Sequence, residues 1–301
     1  MQYIYSSKTT YITNSDLDNF QMKKIKKQND ILFVLVLFKC RIEDSISFKT
    51  LIEQDYAAVN NLFVYDNSPY IQKTILPIAE YIHDTSNKGL GTAYNTACKY
   101  AQQYGYKWLL LLDQDTSFPH GALKSYFNAM KLNTNMIVPR HKIGNGKYIS
   151  PTPYIMMSSD LQETAPTGFS HFSDVSPINS GILVSVESFI RSGGYEEDVW
   201  LDFSDICFIE KYKKIYPTYY ILPDVICIQS FSAIEIDKEK IYKRYCTYLE
   251  CAHNFSKKSF RNYVYLTITT LRPTLSRTIK EKTLQYIKTY FKLYILGKNK
   301  R

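Results

Sequence analysis

The chain has few cysteines, and none are paired by spacing. Cys40, Cys98, Cys207, Cys227, Cys246 and Cys251 form neither a CxxC pair nor a Cys/His cluster at zinc spacing, which excludes a zinc-stapled or disulfide-framed scaffold. Long hydrophobic runs are missing too. The longest, "ILFVLVLF" from Ile31 to Phe38, has eight residues against the roughly 20 that span a bilayer. The start, "MQYIYSSKTTYITNSDLDNF", lacks a basic stretch leading into an apolar one, so no secretory signal is expected, and the expected location is a reducing cytoplasm. There is no internal repeat or low-complexity tract, and the five histidines do not cluster. What is present is ordinary for a globular protein. Of 301 residues, 45% are hydrophobic and 22% charged, enough to bury a sizeable core. Only the 27 tyrosines stand out, and composition alone does not account for them.

Charge is unevenly placed. Lys238 to Arg301 holds sixteen Lys or Arg against three Asp or Glu, a net +13, while the rest carries 21 basic and 25 acidic residues, a net −4. The C-terminal region is therefore expected to meet an anionic partner. A nucleic acid is not the expected one, because the basic region shows no recognised binding module or aromatic platform and the remainder is acidic.

Patterning divides the chain into an N-terminal extension (1–29), a core region (30–236) and a basic helical region (237–301). In the core region, wholly apolar segments alternate with helical ones. "ILFVLVLF", "NLFVYDNS", "KWLLLLDQD" and "NMIVP" read as strands, whereas "DSISFKTLIEQ", "GTAYNTACKYAQQYG" and "PHGALKSYFNAMKL" read as helices, the last opening at Pro119. "TYYILPDVICIQ" reads as two short strands around Pro223. Apolar strands alternating with helices imply an α/β protein whose mainly parallel sheet is covered on both faces, with ligands beyond the carboxyl ends of its strands.

At such an end, "WLLLLDQDTSF" runs five apolar residues into Asp113 and Asp115. Residues two apart in extended chain point the same way, so both carboxylates can face one ligand. Two carboxylates with open positions suit Mg²⁺ or Mn²⁺ bound together with substrate phosphates. Asp66 ends another strand, and "NKGLGTAYN" leads through Gly89 and Gly91 into a helix whose first amides favour anions. Each of these motifs also has a plainer reading, since Asp66 and Asn67 are common turn formers.

The ordered series "FVLVLFK…VYDNS…NKGLGTAYNTA…WLLLLDQDT…NSGILVS…LDFSDICF" resembles glycosyltransferase family 2, and within it the rhamnosyltransferase-like members that carry D-Q-D. The resemblance spans about two thirds of the chain. It implies a GT-A type α/β fold, a mainly parallel, Rossmann-like sheet flanked by helices, here with a basic C-terminal helical appendage. It implies an inverting, metal-dependent transfer of a sugar, rhamnose from dTDP-rhamnose being one candidate, from a nucleotide-sugar donor to a glycan or lipid-linked acceptor in surface polysaccharide synthesis. Phe38 with Lys39 would line the nucleotide site. Asp66 would contact the base, and Asn87, Gly89 and Asn95 would shape the pocket. Asp113 would face the ribose or diphosphate, with Asp115 the main metal ligand. Asn179, Ser180 and Gly181 would line the sugar and acceptor side. Asp205 would be the general base, with Asp202 the second choice; either could instead cap the following helix. Where many family members place a histidine that helps hold the metal, this chain has Gln229 and Ser230, and a neutral amide is a weaker ligand.

In the basic region, "RTIKEKTLQYIKTYFKLYIL" sets Leu284, Ile287, Phe291 and Tyr294 or Ile295 on one helical face with Lys280, Lys288 and Lys292 elsewhere. It is expected either to pack on the core or to lie on an anionic membrane surface, as a peripheral protein would. Two rivals remain. A sugar nucleotidyltransferase needs an early glycine-rich loop that "FKCRIEDS" lacks. A non-catalytic nucleotide-sugar-binding homologue would explain Gln229.

Overall fold

The computed structural model describes residues 30–53, 55–72, 74–153, 161–229 and 237–298. The extension 1–29 and Ser230 lie outside them. Ten strands form one sheet: β1 (Ile31–Leu37), β2 (Leu62–Asp66), β3 (Glu80–His83), β4 (Trp108–Asp113), β5 (Thr116–Ser117), β6 (Met136–Lys142), β7 (Tyr148–Ser150), β8 (Gly168–His171), β9 (Leu183–Ser185) and β10 (Thr218–Gln229). Their order is β3-β2-β1-β4-β9-β6-β10-β5, with β7 beside β6 and β8 beside β10. β1, β2, β3, β4, β6 and β10 run one way, and β9 is inserted antiparallel between β4 and β6. The sheet is thus mainly parallel, as the apolar runs imply.

β1 shows why those runs are continuous. Leu32, Val34 and Val36 enter one core with Ala93, Tyr94 and Ala97 of helix α1 (Gly89–Gln103). Phe33, Leu35 and Leu37 enter the other with Phe48, Leu51 and Tyr126, the last from helix α2 (Ala122–Ala129). Every residue of the strand is buried. Short helices α3 (Val186–Arg191) and α4 (Ser204–Tyr212) cover the first face with α1.

Two expectations need correction. α2 begins at Ala122, not Pro119, because Gly121 takes a left-handed φ of +81°, which sets the turn closed by Ala122 N to Pro119 O (3.2 Å) apart from the helix. "TYYILPDVICIQ" is one strand, β10, whose register against β6 shifts between Ile221 and Ile226. Pro223 lies in that irregularity, where its missing N–H costs no ladder bond, and the Arg140 guanidinium donates to its carbonyl. Beside it, β6 buries His141 opposite Cys227 with both ring nitrogens unpartnered, and burial drives its pKa down to about 3.

The core also gives the tyrosines a use. Buried Tyr126, Tyr195, Tyr212 and Tyr219 donate to Gly181 O (2.7 Å), Asn179 Oδ1 (2.6 Å), Ser188 Oγ (3.1 Å) and Val175 O (2.9 Å). Each supplies a large ring and, at its tip, a donor for a polar group that burial would otherwise orphan.

The basic region forms α5 (Lys238–Ser256), α6 (Phe260–Lys280) and α7 (Gln285–Thr289), which continues as a π-helical turn, Tyr290–Ile295. It packs through Tyr245, Leu249 and Phe255 around Val199 and Cys207 of the core region. Lys258 pairs with Glu196 (2.9 Å) and Asp198 (3.0 Å) across the same boundary. The expected apolar face of the last helix is turned around. Tyr286, Thr289, Tyr290, Leu293 and Tyr294 are buried, whereas Leu284 and Phe291 are exposed.

Candidate active site

β1 and β4 are hydrogen-bonded neighbours with Val36 opposite Asp113, so their carboxyl ends reach the same edge of the sheet. Gln114, between the two aspartates, clamps them. Its Oε1 accepts from Phe38 N at 2.8 Å and its Nε2 donates to Phe38 O at 3.3 Å. Over this edge opens a cavity of about 580 Å³, a size suited to a small ligand. It is lined by Val36, Leu37, Phe38 and Lys39 at the end of β1, by Asp113 and Asp115, by Asn87, Gly89, Trp200 and Leu201, and by Lys240, Lys243, Arg244 and Thr247 of α5.

The carboxylates are poorly compensated. Burial pushes Asp113 up to about 7, with the Asp115 charge adding to it and Asp205 contributing; Tyr94, donating at 3.2 Å, pulls the other way. Asp115 is also raised by burial, held back by its own backbone N–H and by Gln229. No cation figures among these influences. Among the described residues no group of three His, Cys, Asp or Glu could hold a metal ion by itself. Two crowded carboxylates on a cavity wall nevertheless fit a divalent cation that takes its remaining ligands from substrate phosphate and water, as Mg²⁺ commonly does.

Gln229 acts as a donor here. Ser180 Oγ donates to Thr116 Oγ1 (2.7 Å), Thr116 Oγ1 to Gln229 Oε1 (2.7 Å), and Gln229 Nε2 to Asp115 Oδ1 (2.9 Å). A carboxylate can only accept, so the amide must present its nitrogen to Asp115. It therefore steadies the aspartate and offers no oxygen to a cation there.

Several other expected residues stand behind the cavity rather than in its walls. Asp66 is fully buried and accepts from Ser68 N (2.9 Å), Gln72 Nε2 (2.8 Å) and Tyr81 OH (2.6 Å), which braces the end of β2. Asn95 exchanges hydrogen bonds with the Tyr195 backbone (2.9 and 3.0 Å). Asn179 holds Tyr195 OH and donates to Ser204 Oγ (3.2 Å), Ser180 starts the relay to Gln229, and Gly181 donates to Leu111 O (2.7 Å). A Cβ on Gly181 would meet Pro139 Cγ at 2.5 Å. These residues fix the site's frame.

Asp202 and Asp205 flank Phe203, which precedes α4 with a left-handed φ of +66°. Lys39 (+54°) and Asn87 (+50°) share that unusual conformation and line the cavity, and strained backbone of this kind collects at functional sites. Asp202 is held in a bidentate pair by Arg244. Asp205 accepts from Ile206 N at 2.8 Å; burial raises it to about 6, with Asp202 adding and the backbone N–H groups of Ile206 and of Asp205 itself pulling the other way. It does not line the cavity, but its charge is felt at Asp113.

The amides at the start of α1 are partly spoken for. Leu90 N donates to Trp200 O (2.8 Å) and Gly89 N to Asn67 Oδ1 (3.4 Å). The positive side of the cavity comes instead from Lys240, Lys243 and Arg244, which sequence reasoning missed. The signal was available in the +13 bias, read there as belonging to an external partner.

Residues 46–191, just under half of the chain, match the family model "Glycosyl transferase family 2". No curated protein matches the sequence. Among solved structures the chain is similar to GalNAc-T7 with UDP, GalNAc and Mn²⁺ (TM-score 0.49, 11% identity, 66% of this chain and 43% of that one). It is also similar to the mannosyltransferase PcManGT from Pyrobaculum calidifontis in complex with GDP-Man and Mn²⁺ (0.47, 14%, 94% and 86%), and to S. aureus TarS 1-349 (0.45, 12%, 89% and 93%). The chain thus spans less than half the length of the first. At such TM-scores the reading of the site rests on its own residues.

Proposed function

We infer that this chain, a glycosyltransferase by its match to family 2 over residues 46–191, moves a sugar from a nucleotide-sugar donor to a hydroxyl of a glycan or lipid-linked saccharide with inversion at the anomeric carbon. The observation that carries this reading is the cavity itself, whose lining includes both Asp113 and Asp115 and the cations Lys240, Lys243 and Arg244, the last two paired with Glu239 and Asp202. Paired acids and bases in one cavity suit a diphosphate accompanied by a divalent cation. The apolar side, Val36 to Phe38, suits a nucleoside.

Asp115 and Asp113 would hold Mg²⁺ or Mn²⁺, which when bound offsets the charge growing on the departing nucleoside diphosphate. Lys240, Lys243 and Arg244, in the same lining, would add to that stabilisation. The acceptor oxygen forms its bond to the anomeric carbon as the bond to the diphosphate breaks, and its proton passes to Asp205. A carboxylate raised to about 6 is ionised at neutral pH yet basic enough for the task. dTDP-rhamnose is the donor favoured by the D-Q-D sequence, and surface polysaccharide synthesis is the setting it suggests.

The test is thermal stability with dTDP, UDP, GDP and CMP, each with Mn²⁺, Mg²⁺ or chelator, in wild type and Asp115→Ala. A nucleotide at 100 times its dissociation constant adds about 2.7 kcal/mol. A metal-dependent gain with one nucleoside diphosphate, lost in the variant, supports the reading; no gain with any of them overturns it. A second reading, nucleotide-sugar binding without turnover, draws on Gln229 donating to Asp115. It predicts the same thermal gain but no transfer.

A further inference from the structure

Helix α6 carries its side chains inside out. Its buried residues are Leu266, Thr270 and Thr274, a narrow face whose threonines bond back to the helix, Thr274 Oγ1 to Thr270 O at 2.7 Å. Tyr245 OH lies 2.7 Å from Thr274 Oγ1. The large apolar residues point to water: Phe260, Val264, Ile268, Leu271, Leu275 and Ile279, of which Phe260, Ile268 and Ile279 are 82%, 66% and 76% exposed. Their spacing of four, four, three, four and four residues makes one continuous stripe along the helix. Exposed apolar surface of that extent on a soluble face marks an interaction site.

Charge identifies the occupant. α6 has no Asp or Glu, and Arg261, Arg272 and Lys280 are exposed on it. The next segment adds exposed Lys288 and Lys292 beside exposed Leu284, Phe291 and Leu296. A second copy of this chain would bring its own cations against these, in a region whose net charge is +13. What suits a basic rim around an apolar stripe is an anionic rim around an apolar interior. No described helix is long and apolar enough to cross a membrane, so α6 would lie in the plane of the interface, about 30 Å of it.

We propose that α6, rather than the terminal helix alone, docks the protein on an anionic lipid surface through this stripe. The proposal does not depend on the donor or on turnover. α5 packs against α6 and also lines the donor cavity, so docking would hold that cavity beside the membrane, where lipid-linked acceptors lie.

The experiment is co-sedimentation of the full chain with phosphatidylcholine vesicles, with or without 30% phosphatidylglycerol, comparing wild type with Ile268→Glu/Ile279→Glu. Both positions are exposed, and unchanged circular dichroism and melting temperature confirm folding. Wild type should pellet with the anionic vesicles, less in high salt, and the variant at least tenfold less, while nucleotide-induced stabilisation is the same in both. Equal pelleting of the two proteins, or no pelleting with anionic vesicles, overturns the proposal. A wild-type dimer that the double variant dissociates, without vesicle binding, overturns it in favour of a second copy.

Discussion

Gly89 lies close against the Trp200 backbone, and replacing the glycine by alanine tests whether that contact shapes the cavity. A Cβ at Gly89 would lie 2.2 Å from Trp200 O and 2.9 Å from its carbonyl carbon, with φ at +86°. Gly121 has nearly the same φ, +81°, but nothing within 4 Å of its Cβ position. The left-handed conformation costs an alanine about 1–2 kcal/mol, so Gly121→Ala should lose only that. Gly89→Ala must in addition push away the carbonyl that accepts from Leu90 N at 2.8 Å, and losing a buried hydrogen bond costs about 1–3 kcal/mol. Urea unfolding should therefore place Gly89→Ala about 2 kcal/mol below Gly121→Ala. Because Trp200 and Leu201 are cavity wall, affinity for the stabilising nucleotide should also fall in Gly89→Ala and hold in Gly121→Ala. Equal stability losses with equal nucleotide affinities would refute the reasoning.

Asp205→Asn keeps shape and removes the base, so transfer should slow by about 10² to 10⁴-fold with the nucleotide-induced thermal shift unchanged; near-normal turnover removes Asp205 from the mechanism. His141→Leu tests the unpartnered imidazole. Its pKa is about 3 in the fold against an ordinary 6.5, so the stability it contributes is present above pH 6.5 and drains as pH falls toward 3. At pH 5 that amounts to about 2 kcal/mol. Between pH 7.5 and 5 wild type should lose about that much more stability than the variant in urea titrations, and parallel losses would contradict it.

How much of this was legible in the sequence depended on which kind of signal each residue gave. β1 and β4 were plain because burial on both faces demands continuous apolar runs, and Asp113 and Asp115 stood out by ending one. Pro223 misled, since a proline that splits a strand in sequence can sit in a register shift that leaves the strand whole. The last helix misled for a related reason. The face built from Leu284, Ile287, Phe291 and Tyr294 or Ile295 is good hydrophobic periodicity, but of these Tyr294 is the one that is buried, beside Tyr286 and Tyr290 on a face that packs and bonds its hydroxyls. Tyr290 OH reaches Thr267 O at 3.3 Å, and Tyr294 OH lies 3.0 Å from Thr267 Oγ1. Tertiary partners chose between the two. The stripe of α6 has a helical period in the sequence that does not say which way it faces, and the relay through Ser180, Thr116 and Gln229 joins residues whose relation no linear pattern records.

The wall that α5 lends to the cavity has a further consequence. The segment matched to the family ends at residue 191, before Trp200 and well before Lys240, Lys243 and Arg244. The acidic pair lining the cavity thus lies inside the matched stretch and the basic residues outside it, with Arg244 paired to Asp202, itself beyond residue 191. A recombination that exchanged only the helices after residue 236 would change the charges lining the cavity without touching a strand. A chimera of that kind should keep its nucleoside preference while changing how strongly it holds the phosphates.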